Sequence, residues 1–172
     1  MIDLFKTTHG SRLYGLNHAN SDEDWYSVHL GLGKATQNIS GDQDVLRVDY
    51  SMFLDQFEKG VPQALEAMFS SQIVYDNIPF IRRSAVPNFG KAVDTYSRTI
   101  RGFARSKKDT LKRQRHAIRL TLNLDDLWRT GRFDPTLDKK SVDLVRSLEN
   151  VIDSEELIEQ LSSLGAIDLR KD

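Results

Sequence analysis

The chain has 172 residues, no cysteine, and a formal charge of −1 from 24 basic and 25 acidic side chains. The lack of cysteine excludes disulfides, thiol nucleophiles and Cys-ligated zinc, and a charge near zero sets up no global pull toward nucleic acid or membrane. No apolar run is long enough to span a bilayer, and Met1-Ile2-Asp3-Leu4-Phe5-Lys6 lacks the apolar stretch of a secretory leader; the expectation is a soluble, cytoplasmic protein with no membrane partner.

Residues 2–8 read as a first strand that ends at His9-Gly10-Ser11. Residues 11–16 read as a short helix and 17–22 as a turn-rich connection. Asp24-Trp25-Tyr26-Ser27-Val28-His29-Leu30 is aromatic and β-branched enough for a second strand. Residues 31–41 hold three glycines and read as a mobile loop, followed by a third strand over 45–48 with Asp44 at its start and Asp49 at its end. From Tyr50 the period becomes helical, through Phe53 and Phe57 and then Leu65, Met68 and Phe69. Pro62 suits the first turn of a new helix, with Gly60-Val61 as the break. Residues 73–75 are apolar without a clear period. Helices are expected over 79–84, 91–106, 110–130 (closed by Gly131), 141–151 and 154–164, the last with Ser154 at its cap. The fold class expected is α+β: a small mixed β-sheet core with flanking helices over 1–87, then an all-helical half over 88–172.

Two features carry chemistry. Asp22 and Asp24 lie two apart at the start of a strand, so they share a face. Adjacent carboxylates repel unless a cation lies between them, and a hard ion such as Mg²⁺ is held by one or two carboxylates plus substrate phosphates. Upstream, Gly10-Ser11 opens a helix where free N–H groups favour a phosphate, and Arg12 is either placed to meet one or an exposed surface arginine. Two-metal transfer needs a further acid. Asp44 fits as a strand-end residue facing the pair; Asp49, five residues on, would face the other way and is equally an N-cap; Asp42 is a weaker candidate.

The second feature is a basic region in the helical half. Lys112, His116 and Arg119 fall at i, i+4 and i+7, one stripe of a helix, with Arg101, Arg105 and Lys108 forming another. Such stripes are either solvated faces or a wall that clamps a triphosphate or nucleic-acid backbone. Of Trp25 and Tyr26, one is expected in the core and one is free to stack on a base.

Gly10-Ser11-Arg12-Leu13-Tyr14-Gly15 followed by Ser21-Asp22-Glu23-Asp24 resembles the signature of the polymerase-β-like nucleotidyltransferase superfamily. The pattern is most similar to the branch of RNA-repair-pathway nucleotidyltransferases, which reads Gly-Ser-x-x-Tyr-Gly, a spacer, then Ser-Asp-x-Asp. Phe53, Gly60-Val61-Pro62, Glu66-Ala67, the run from Lys112 to Arg119 containing His116-Ala117-Ile118-Arg119, and Thr130-Gly131 stand where that branch has related residues. The chain departs from it at Tyr26-Ser27, where Arg-Gly is common, and at Val61, where Asn is common. The resemblance implies an enzyme that transfers NMP from an NTP to a hydroxyl, releasing pyrophosphate. Asp22, Asp24 and Asp44 would hold Mg²⁺ or Mn²⁺, and Gly10, Ser11, Arg12, Lys112, His116 and Arg119 would bind the nucleotide. The acceptor implied is nucleic acid, an RNA end or a tRNA-like molecule. A protein acceptor, as in an antitoxin-type enzyme, and a non-catalytic nucleic-acid-binding module are the alternatives.

Overall fold

The computed structural model describes residues 1–108, 110–165 and 167–170, and all structural statements refer to these. The N-terminal strand β1 (Ile2–His9) runs into a single helical turn, α1 (Gly10–Leu13), and the chain returns as β2 (Glu23–Leu30), antiparallel to β1. A hairpin follows, β3 (Thr36–Ser40) and β4 (Gln43–Asp49), with β4 parallel to β2. Helices α2 (Tyr50–Glu58) and α3 (Pro62–Phe69) come next, and β5 (Ile73–Asp76) pairs antiparallel with β1. The strands form one mixed sheet in the order β3-β4-β2-β1-β5. The remaining elements are helical: α4 (Pro79–Ser84), α5 (Phe89–Ala104), α6 (Thr110–Thr130), α7 (Lys139–Ser147) and α8 (Ser154–Leu164). The class is α+β, and no helix among the described residues is long and apolar enough to cross a membrane.

Two local expectations are corrected and one open segment is assigned. Residues 31–41 are not all loop, because Gly41 and Asp42 make a two-residue turn that folds Thr36–Ser40 back on β4. That strand is exposed along most of its length, so it shows no alternation of apolar residues. The apolar run at 73–75 is the edge strand β5. The cap of α8 is Asp153, whose carboxylate accepts from the N–H groups of Glu155 and Glu156, and Ser154 is the first helical residue.

Two hydrophobic clusters form. In one, Phe5, Tyr26, Val28 and Val48 on one face of the sheet pack against Phe53 of α2 and Ala64, Ala67 and Met68 of α3. In the other, Tyr96 and Ile100 of α5, Leu120, Leu124 and Leu127 of α6, and Leu157, Ile158 and Leu161 of α8 pack together with Leu65 of α3. Helix α3 therefore faces the sheet with Ala64, Ala67 and Met68 and the helical half with Leu65, and Phe57 and Phe69 touch both clusters. At the α2–α3 break Gly60 has φ +69° and sits so close to α5 that a Cβ there would lie 2.4 Å from the Ala92 Cα.

Candidate active site

The pairing register brings the acids together. In the parallel β2–β4 ladder Asp24 is directly opposite Asp44, and in the antiparallel β1–β2 ladder it is opposite His9. Asp22 is exposed and stands just before β2. The Asp24 carboxylate lies against the Gly10 Cα: at φ +63° a Cβ on residue 10 would fall 1.8 Å from Asp24 Oδ2. Glycine is therefore required at position 10 for two reasons, the left-handed backbone and the carboxylate beside it.

Burial first, then the like charges of Asp44 and Asp22, hold the Asp24 carboxyl above its ordinary range, against the opposing pull of His9 and Lys112. Gln37 Nε2 donates to Asp44 Oδ2 at 2.5 Å, while Asp44 Oδ1 is buried with no hydrogen-bond partner. A buried carboxylate oxygen without a donor is costly, and a cation would satisfy it. Among the described residues no three His, Asp or Glu side chains converge closely enough to enclose an ion. Asp24 and Asp44 do fit the manner in which Mg²⁺ is held, by one or two carboxylates with water and substrate phosphate oxygens completing the shell.

Two clefts meet at Asp24. One, about 580 Å³, is bordered by Asp24, Asp44, Gln63, Lys112, His116 and Arg119. The other, about 400 Å³, is bordered by Ser11, Asp22, Asp24, Lys112, His116 and Arg146. Gly10, Tyr14, Asp24, Lys112 and His116 belong to both. The stripe expected on 110–130 therefore faces the acids across the first cleft. Lys112 is exposed at its rim. Burial first, then the charges of Arg119 and Lys112, push the His116 imidazole down to about 4, so it is neutral at pH 7.

Two of the residues expected to meet phosphate have other partners. Arg119 is buried, donates from Nη1 to Glu66 Oε1 at 2.6 Å and to Asn123 Oδ1 at 3.2 Å, and stacks 3.7 Å from the Tyr14 ring centre. Burial, the largest single influence, works against its charge, but Glu66 and the neighbouring Tyr14 and Tyr96 together outweigh it, so the guanidinium stays protonated. Arg12 donates to the carbonyls of Ser21 (3.1 Å) and Asp22 (3.3 Å), holding the segment that carries Asp22. Gly10 and Ser11 are the first two residues of a helix of only four residues, which carries no long helix dipole. Asp49 is the N-cap of α2: it accepts from Ser51, Leu32 and Gly33 N–H groups, and these bonds, led by the Ser51 side chain, hold it at about 2. Of the candidate third acids, Asp44 is the one that borders the cleft. Tyr26 is fully buried and Trp25 borders the first cleft.

The floor beneath the acids is a unit that sequence spacing does not show. Glu66, fully buried, accepts from Tyr14 Oη at 2.6 Å, pairs with Arg119, and lies 3.7 Å from His9 Nε2. Burial holds His9 below its ordinary value, and its Nδ1 is buried without a partner. The signal for this network was in the chain as Tyr14 and Glu66, but they are 52 residues apart and only the fold joins them. Compared with known proteins, the chain matches no family model and no curated sequence.

Proposed function

We propose that the chain is a metal-dependent nucleotidyltransferase built on a polymerase-β-like core, moving NMP from an NTP to a hydroxyl of a nucleic-acid acceptor and releasing pyrophosphate. The observation that carries this reading is the Asp24–Asp44 pair in direct cross-strand register, packed on Gly10 where two clefts meet. Two clefts at one acidic centre suit a reaction between two substrates, and paired carboxylates facing a basic wall suit phosphoryl chemistry, in which positioning and charge neutralisation supply most of the rate.

Asp24 and Asp44, with Asp22 at the margin, are the side chains to hold Mg²⁺ or Mn²⁺, which when bound neutralises the phosphates and acidifies the acceptor hydroxyl. Ser11 and the Gly10 backbone take the β- and γ-phosphates in the smaller cleft. Lys112 meets their charge from the opposite wall, and neutral His116 donates one N–H to a phosphate oxygen. The acceptor oxygen forms its bond to the α-phosphorus, the bond from that phosphorus to the bridging oxygen breaks, and pyrophosphate leaves. The acceptor proton passes to the solvent of the open cleft, and Asp44 Oδ1, the carboxylate oxygen that has no hydrogen bond, is left to the ion. Arg119 and Arg12 act as positioning residues, the first under the cleft through Glu66 and the second on the segment bearing Asp22.

The test is incubation with each α-labelled NTP, Mg²⁺ or Mn²⁺, and RNA, DNA or protein acceptors. Label on RNA is the expected result. Label on protein would move the acceptor to the protein-modifying alternative. The absence of both label transfer and metal-dependent NTP binding would overturn the enzyme reading.

A further inference from the structure

The face of the sheet turned away from α2 and α3 has a feature that the transfer reaction does not use. Strand pairing sets Tyr75 opposite Lys6, Lys6 opposite Ser27, Ser27 opposite Arg47, and Arg47 opposite Thr36. Residues directly opposite one another project to the same side, so these five make one row across all five strands. All five line a hollow of about 560 Å³. The row contains two cations and three hydroxyls, with Ser27 Oγ 3.2 Å from Tyr75 Oη.

Its charges are poised for an anion. Neither Lys6 nor Arg47 ion-pairs with a carboxylate among the described residues; Lys6 instead sits 3.5 Å over the Trp25 ring. Burial first and then the neighbouring Arg47 hold Lys6 below its ordinary value, with Glu23 opposing. Asp3, the acid that lines the hollow, is paired there with His29 Nδ1 at 2.8 Å, and Glu23 lies 4.0 Å from Arg12. His29 also lines the hollow, and its Nε2 is buried with no partner. A guanidinium fork, an ammonium and hydroxyl donors in a recess are the groups that hold a phosphate, and an aromatic ring beside them is a platform for a base.

We infer that this hollow binds the phosphate backbone of a single-stranded nucleic acid, with Trp25 as the neighbouring stacking platform. Ser27 lies three residues along β2 from Asp24, a rise of about 10 Å, and Trp25 between them borders the larger cleft. Calling the bound strand the acceptor rests on the transferase reading; the binding itself does not.

The experiment is fluorescence anisotropy of a short labelled single-stranded RNA with the full chain, in EDTA without NTP, over a series of salt concentrations. The double variant Lys6→Ala/Arg47→Ala is expected to weaken binding about tenfold or more and to reduce the log–log salt slope by about 1.4, as for two lost phosphate contacts on a single strand. Lys6→Arg/Arg47→Lys keeps both charges and is expected to retain the slope, which separates charge loss from misfolding. Lys139→Ala/Lys140→Ala, on α7, is expected to leave binding unchanged. Asp24→Asn is expected to bind RNA as the wild type does, so failure of the transfer reaction and failure of this site are read separately. Unchanged affinity and slope in the alanine pair would overturn the inference. So would binding of inorganic phosphate, or of anionic vesicles, by the wild type with none of RNA.

Discussion

The Gly10–Asp24 contact makes the backbone of one residue a condition for the acid of another. Gly10→Ala puts a methyl group where Asp24 Oδ2 stands, at a positive φ that costs an L-residue about 1–2 kcal/mol. The expected outcome is label transfer reduced at least tenfold with a melting temperature only a few degrees lower, checked by initial rates and thermal melts on one preparation. His116 supplies a pH signature. Its folded value of about 4 lies below the unfolded value near 6.5, so the unfolded chain binds the extra proton between them. Stability attributable to neutral His116 is present above pH 6.5 and is lost as the pH falls through 4. Urea midpoints measured over that window should fall in the wild type and fall less steeply in His116→Asn.

At the level of elements, the Glu66–Arg119 pair ties α3, which faces the sheet, to α6, which faces the clefts. Both side chains are buried, so removing one leaves the other charge without compensation. Glu66→Ala is expected to cost about 3–5 kcal/mol, whereas Glu66→Leu/Arg119→Met, which removes both charges, should recover most of it; denaturant unfolding of the three proteins checks this. The periodic elements were legible in the chain: α2 from Phe53 and Phe57, α3 from Pro62, α6 from its bounds and Gly131. The polar hairpin strand β3 was not, because it buries too little for its side chains to alternate and is defined by its partner β4. Asp153 and Ser154 have the same capping propensity, and only the geometry separates them.

Across the whole molecule, the acids come from β2 and β4 and the basic wall from α6, and the clefts lie between α6 and the starts of these two strands. Asp22, Asp24 and the Gly10-Ser11 turn could be read as a site because they are close in sequence. The choice of Asp44 over Asp49 could not, because it depends on parallel register and on Asp49 being committed to the α2 cap. Arg119 was legible as part of a stripe, but its burial on Glu66 depends on a contact 53 residues away. Under the proposed function, Asp24 and Asp44 act together to hold a divalent ion with a nucleotide. Titration of Mn²⁺ followed by electron paramagnetic resonance, with a non-transferable NTP analogue present, measures this directly. The wild type should bind Mn²⁺ only with the analogue, and Asp24→Asn and Asp44→Asn should each lose at least tenfold in Mn²⁺ affinity. Equal Mn²⁺ binding by the wild type and both variants, or none by the wild type, would contradict it.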